Sequence, residues 1–174
     1  MANSSAIFMR EKPFYDVLRP GYALYGGNPT PLAPNPMRNA LKLEARILTI
    51  RDLAPGETVG YDALWTAQRP SRIATLGIGY ADGVHISASA GNAQIGGEAY
   101  AAGVFCPFIG RVSMDYIMID ITDTPHALLQ RGDWVELLGE NITIDDLAKR
   151  SGVIGYEVLT RLGMRYARQY LKRS

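Results

Sequence analysis

Apolar and polar residues alternate with period two along much of this chain. Leu41, Leu43, Ala45 and Ile47 form one such stretch, with Lys42, Glu44 and Arg46 between them, and Ile117, Ile119 and Ile121 another, with Met118 and Asp120 between them. Alternation of this kind puts every second side chain on one face, which predicts half-buried strands. Further apolar runs at 72–80, 93–102, 104–109 and 134–138 are set apart by Pro55-Gly56, Asp82-Gly83, Gly96-Gly97, Arg131-Gly132 and Gly139. Many short strands between turn signals predict a mainly β domain, either a barrel or a sandwich. Helical spacing intervenes near the end. Thr143 with Asp146 three residues on reads as a capping-box variant, Ile144, Leu147 and Ala148 share a face, and Gly152 ends the helix. A shorter helical turn is predicted over 156–162, and a last strand over 164–171 after Gly163.

The first 39 residues carry a different pattern. Six of the ten prolines fall between Pro13 and Pro36, and Gly26-Gly27-Asn28-Pro29 followed by Pro31, Pro34 and Pro36 breaks any regular element. This stretch reads as a connector. Before it, a short helical piece capped by Asn3 or Ser4 and a short strand at 16–18 lead into Arg19-Pro20-Gly21, where Pro before Gly favours a type II turn. Two such pieces cannot build a core of their own. The change in composition predicts a boundary between 1–39 and 40–174.

A chain of 174 residues buries roughly 70% of its unfolded surface on folding. At 47% hydrophobic and 20% charged residues, wholesale disorder is excluded. Eighteen basic against seventeen acidic side chains leave a net charge of +1. There is no excess of sign to neutralise phosphate backbones or anionic lipid, so neither a nucleic-acid nor a membrane partner is expected. The single cysteine, Cys106, excludes an intramolecular disulfide, and with only His85 and His126 beside it no Cys/His zinc site can be assembled. A reducing, cytoplasmic setting and no metal are expected. No run of eighteen apolar residues and no signal-peptide pattern occurs.

Tyrosines stand in glycine-rich contexts at Gly60-Tyr61, Gly79-Tyr80 and Gly155-Tyr156, where backbone can approach the ring closely. Tyrosines with a packed ring and a wet hydroxyl are equally common at strand ends. Gly110-Arg111-Val112-Ser113-Met114-Asp115 gathers an arginine, a serine and a carboxylate, but without a histidine it makes no serine-hydrolase triad. Asp82 and Asp115 can be read as a carboxylate pair or as solvated turn residues. Cys106, between Phe105 and Pro107, reads as a core thiol, and both histidines sit in polar or turn contexts.

Taken in order, these segments resemble alanine racemase, the pyridoxal-phosphate family that interconverts L- and D-alanine. The resemblance is to its C-terminal part. It is carried by Asn3-Ser4-Ser5, then 19–26 (Arg-Pro-Gly-Tyr-Ala-Leu-Tyr-Gly), Val59-Gly60-Tyr61, 78–83 (Ile-Gly-Tyr-Ala-Asp-Gly), 110–115 and Gly155-Tyr156-Glu157. The family fold implies that 1–39 is the end of a (β/α)8 barrel and its connector, and 40–174 a β-barrel-like domain with one or two short helices. It also implies a homodimer in which the β domain of one subunit completes its partner's active site.

Carried over by position, Tyr61 is the catalytic acid/base on one face of the substrate. Removing a proton from one side of Cα and returning one to the other requires two positioned groups, and the family uses a lysine for the second. A phenol ordinarily titrates near pH 10, so nearby positive charge or hydrogen bonds must favour its ionised form. Arg19 is implied to face the cofactor's pyridine nitrogen, and a guanidinium that keeps its proton leaves that nitrogen unprotonated. Ser4, the backbone of Gly21 and Tyr22, and the hydroxyl of Tyr156 are implied to cradle the phosphate. Met114 is implied to contact the substrate carboxylate through its backbone, with Tyr80 and Arg111 lining the entrance. Ser113 stands where some members have cysteine, and Ile86 where some have an arginine.

The family's Schiff-base lysine lies in a segment of Lys-Ala-Asp-Ala-Tyr-Gly character, and the four lysines here, Lys12, Lys42, Lys149 and Lys172, have no such context. The chain is therefore expected to be a fragment and inactive alone, with cofactor binding by itself doubtful. An apolar face from Met37 to Leu43 and near Tyr156 is expected to be exposed. A noncatalytic β module for ligand binding or oligomerisation, and a fragment of a related amino-acid racemase, are the other readings.

Overall fold

A computed structural model describes residues 1–9 and 16–171 of the chain. Lys12, Pro13 and Lys172 lie outside the described residues. In chain order the elements are β1 (Ala2–Asn3), α1 (Ser4–Ile7), β2 (Leu18–Arg19), β3 (Leu43–Leu53), β4 (Thr58–Val59), β5 (Trp65–Thr66), β6 (Ser71–Leu76), β7 (Glu98–Ala101), β8 (Val104–Ile109), β9 (Ile117–Asp120), β10 (Trp134–Leu138), α2 (Ile144–Ser151) and α3 (Gly155–Arg161).

The alternating residues do what their period requires. Ala45, Ile47, Ile117, Ile119, Val135 and Leu137 all point into one cluster, joined by Ala74, Leu76 and Phe108. The strands that carry them close into a barrel in the order β10-β3-β6-β9-β8-β7, so the sandwich alternative is set aside. β3 is long enough to need a change of face partway. Ile47 pairs with Leu76 and Thr49 with Thr75, which leaves Leu48 as an extra residue. Past this bulge the inward parity shifts, and Ile50 packs on the core where strict alternation would have turned it outward. Closure comes where Glu136 of β10 lies opposite Tyr100 of β7.

At one side of the barrel α2 and α3 pack over Leu138. α2 starts as its sequence predicts. The Thr143 hydroxyl oxygen accepts from Asp146 N–H at 3.1 Å, the Asp146 carboxylate accepts from Thr143 N–H at 3.1 Å, and Gly152 ends the helix at φ 65°. Cys106 is buried as expected, and desolvation pushes its thiol up to about 11.

Several expectations need correction. No strand forms over 164–171, because a closed barrel leaves no ladder for it to join and its side chains reach back to other groups instead. The run at 93–102 is a strand only from Glu98, since Gly96 and Gly97 come within 2.4 Å of the Ala88 carbonyl and 2.5 Å of the Phe108 ring, as measured from a Cβ placed on each. Leu41 precedes β3, and Leu41 and Leu43 pack against α2 and α3, so the face expected to be exposed from Met37 to Leu43 is half-buried. Gly21 has φ −133°, which is not the left-handed value a type II turn needs. His85 is buried, at 6% exposure, with Nδ1 3.7 Å from Glu157 Oε1; desolvation and the Arg161 cation hold it below the ordinary histidine range despite that carboxylate. No helix among the described residues is long and apolar enough to cross a membrane.

Ile119 is wholly buried at the centre of the barrel. Ile119→Ala should lower unfolding free energy by about 2–5 kcal/mol, read as a urea midpoint at unchanged slope. A loss below about 1 kcal/mol would show that the barrel interior is not close-packed there.

Candidate functional site

Three groups of polar and aromatic side chains gather on the barrel's periphery. The first is a cleft lined by Asn3, Ser4, Arg19, Pro20, Gly21, Tyr22 and Tyr156. It arises because β1 and β2 pair in parallel, Ala2 with Leu18 and Asn3 with Arg19, which brings the start of α1 beside the turn after β2. Asn3, not Ser4, caps α1, accepting from Ala6 N–H at 3.0 Å. Ser4 is instead buried and accepts from Gly21 N–H at 3.1 Å and Ala23 N–H at 3.3 Å. The amide of Gly21 is thus already bonded, in contrast to the free N–H expected after that turn. With two donors on its oxygen, the Ser4 hydroxyl still has its own proton to give.

Tyr22 organises this cleft. Its ring stacks on Tyr156 with centroids 4.4 Å apart and planes inclined by 18°. A Cβ on Gly27 would fall 2.2 Å from the ring, and one on Gly155 would fall 1.9 Å from the hydroxyl, so both glycines are needed for the ring to lie where it does. The hydroxyl donates to Asp145 Oδ1 at 2.6 Å, and Asn28 N–H donates to Oδ2 of the same carboxylate at 3.0 Å. Burial, followed by the bond to Asp145, raises the Tyr22 phenol well above its usual range. Asp145 escaped the sequence reading: the capping box already accounted for Asp146, and nothing local marks its neighbour as a ligand for a residue 123 positions away.

The second group surrounds the β4–β5 hairpin. Gly60 has φ 77°, and Asp62 and Ala63 are left-handed at φ 61° and 48°, a conformation that costs of order 1–3 kcal/mol for a residue with a side chain. The turn leaves Tyr61 largely in solvent, at 68% exposure. It is pressed against the segment after β8, where a Cβ on Gly110 would fall 2.9 Å from the Val59 carbonyl. Arg111 Nη2 pairs with Asp62 Oδ2 at 2.8 Å, which sets a guanidinium on the residue next to Tyr61. Asn92 braces the base of the hairpin through paired bonds of 2.8 Å to Thr66 N–H and C=O.

Tyr80 and Met114 lie on two turns held together by backbone. Tyr80 N–H donates to Ser113 O at 2.9 Å and Ala81 N–H to Met114 O at 3.0 Å. Both side chains are exposed. The Tyr80 turn packs on the last turn of α3, where a Cβ on Gly83 would fall 2.2 Å from Arg161 O, whereas Tyr156 is near the first. The structure therefore brings Ser4, Arg19, Gly21, Tyr22 and Tyr156 together, and Tyr80 with Met114 and Tyr61 with Arg111. No hydrogen bond or ion pair among the described residues joins the cleft to the other two pairs. Asp82 and Asp115 do not form a bare carboxylate pair, since Arg165 stands between them at 3.4 and 2.9 Å.

Residues 40–170 match the family model described as alanine racemase, C-terminal domain. The chain is 49% identical over 174 residues to an alanine racemase of Methylobacterium nodulans, covering all of this chain and 46% of that protein. It thus spans about half the length of the curated relatives it matches. Among solved structures, alanine racemase from Bartonella henselae with covalently bound pyridoxal phosphate superposes with a TM-score of 0.87 at 40% identity, over 98% of this chain and 46% of that one. The biosynthetic alanine racemase of Pseudomonas aeruginosa gives 0.88 at 37% identity, over 98% and 47%.

A phenol whose folded pKa lies above its unfolded value adds stability that is complete below about pH 10 and is lost as pH rises through the folded value. Tyr22→Phe should cost about 1.5–3 kcal/mol at neutral pH, typical of a hydrogen bond to a charged group. It should also flatten the loss of stability above pH 10, with Tyr166, raised to about 12, supplying what remains. An unchanged urea midpoint and alkaline slope would remove the Asp145 bond from the cleft's support.

Proposed function

The chain belongs to the alanine racemase family, as its C-terminal domain, and from that premise we propose that it is the C-terminal part of a pyridoxal-phosphate-dependent racemase that interconverts L- and D-alanine. Residues 1–39 then form the end of the cofactor-bearing barrel and 40–174 the β domain. The parallel pairing of β1 with β2, with α1 after β1, supports the first assignment, since parallel strands with helices between them build such barrels. The enzyme works as a homodimer in the cytoplasm, where its product feeds peptidoglycan synthesis.

The residues of the cleft fit the cofactor. Gly21 has no neighbour within 4 Å of an added Cβ. What it leaves is room at the cleft wall. The Ser4 hydroxyl proton, the Tyr22 N–H and the Tyr156 hydroxyl would hold the phosphate, and Arg19 would be the partner of the ring nitrogen. Because a guanidinium does not surrender its proton, Arg19 would leave that nitrogen unprotonated and the electron sink weak. When bound, pyridoxal phosphate takes up the electron pair left at Cα as its proton departs.

Tyr61 carries that proton on one face of Cα, with the barrel's lysine serving the other. The observation that carries this reading is the hairpin turn: strained backbone at Asp62 and Ala63, locked to Gly110 and Arg111, delivers the phenol to solvent instead of the core. Arg111 holds the neighbouring Asp62 by an ion pair of 2.8 Å and so fixes the turn that presents the phenol. Met114 has its carbonyl bonded to Ala81, and its N–H orients the substrate carboxylate, while Tyr80 narrows the approach. In the dimer these groups serve the partner's cofactor.

The 174-residue chain, mixed with pyridoxal phosphate, should convert no L-alanine to the D form. Tyr61→Phe in the full-length enzyme should cut racemisation by about two to four orders of magnitude while the cofactor stays bound, as expected when a general acid/base is removed. Unchanged turnover in both directions would take Tyr61 out of the mechanism, and turnover by the isolated chain would refute its inactivity.

A further inference from the structure

The turns bearing Tyr80 and Met114 are gripped from outside by the segment that follows α3. Asp82 Oδ2 accepts from Gly79 N–H at 2.9 Å and so closes the first turn. Its Oδ1 lies 3.4 Å from Arg165 Nε, and Arg165 Nη2 lies 2.9 Å from Asp115 Oδ1 on the second turn. The next residue, Tyr166, donates its hydroxyl to the Asp82 carbonyl. One planar guanidinium thus joins a carboxylate from each turn, and the adjacent phenol fixes the backbone of the first. A lysine ammonium cannot face both carboxylates with the same fork.

An exposed ion pair adds little to stability, so a bridge of this kind matters for placement. The two turns already touch through the bonds from Tyr80 and Ala81 to Ser113 and Met114, and the approach is so close that a Cβ on Gly79 would fall 2.3 Å from Ser113 O. Without the outside grip they meet along that single seam and can pivot about it.

We propose that Arg165 and Tyr166 are positioning residues that strap the Tyr80 and Met114 turns into one rigid wall, and so set the geometry in which an amino-acid carboxylate is held. This rests on the reading of Met114 and Tyr80 given above. It explains why 164–171 is retained next to the barrel without joining its sheet.

The test pairs Arg165→Met with Arg165→Lys. In the 174-residue chain, hydrogen exchange at the amides of Tyr80 and Ala81 should rise about tenfold or more in Arg165→Met, with β6 and β9 unchanged. In the full-length enzyme KM for alanine should rise about tenfold with kcat within about twofold, and Arg165→Lys should restore part of it. Unchanged exchange at the two turns overturns the strap. So does exchange that rises throughout the barrel, or a fall in kcat with KM unaltered, since both report a general loss of structure or chemistry. If exchange rises locally but Tyr61→Phe leaves racemisation intact, the strap stands and the reading of the site is what fails.

Discussion

Closing six strands into a ring consumes both edges of the sheet, and most of what is distinctive here follows from that. The last link is short, with Glu136 opposite Tyr100, but it leaves no ladder open among the barrel strands. The interior is filled by aliphatic side chains and Phe108, with no room for a substrate. Polar chemistry has to hang on the connections outside. The β4–β5 hairpin, the turns at 79–83 and 113–116, and the two helices over Leu138 supply those connections. The segment past α3 has no strand to join and becomes a brace between them.

At the cleft and at the β4–β5 hairpin it is backbone at close quarters that places an aromatic residue. Gly27 and Gly155 leave the slot into which Tyr22 slides, and Gly60 and Gly110 let the hairpin meet the end of β8. A single added carbon on Gly27, Gly155 or Gly110 would fall within 3 Å of its neighbour, and one on Gly60 would be strained at φ 77°. The Tyr22 ring, stacked on Tyr156 and bonded to Asp145, has little freedom to swing, which suits a group at the wall of a cleft that must hold a ligand in one orientation. The cost appears as left-handed backbone at Asp62 and Ala63, and the surrounding contacts of Arg111 and Asn92 support it.

How much of this could be read beforehand depended on the range of the interaction. β8 and β10 were legible to the residue, and α2 with them, because alternation and a capping box are local signals. The barrel itself was legible only as one of two options, since closure depends on pairings distant in sequence. Strand 164–171 was misread because Met164, Tyr166 and Leu171 look like strand residues until the absence of an open edge is known. His85 looked solvated in its turn and is buried by α3, which packs over it from seventy residues away. Asp145 and Arg165 were invisible for the same reason: Asp145 acts on residues 123 and 117 positions away, and Arg165 on Asp115, 50 positions away, and on Asp82, farther still. The ordered motifs did name the cleft residues that the fold gathers, although Gly21 lies there without the turn or the free amide expected of it.

The central claim is that Tyr61 handles the proton on one face of Cα and on that face alone. Its most direct test follows the α-hydrogen in heavy water, comparing the full-length enzyme with Tyr61→Phe. The account predicts that the variant still exchanges the α-hydrogen of one alanine enantiomer, through the remaining base, while returning it with configuration retained. Exchange accompanied by inversion at the unaltered rate would contradict it, because some other group would then be delivering the proton that is assigned here to Tyr61.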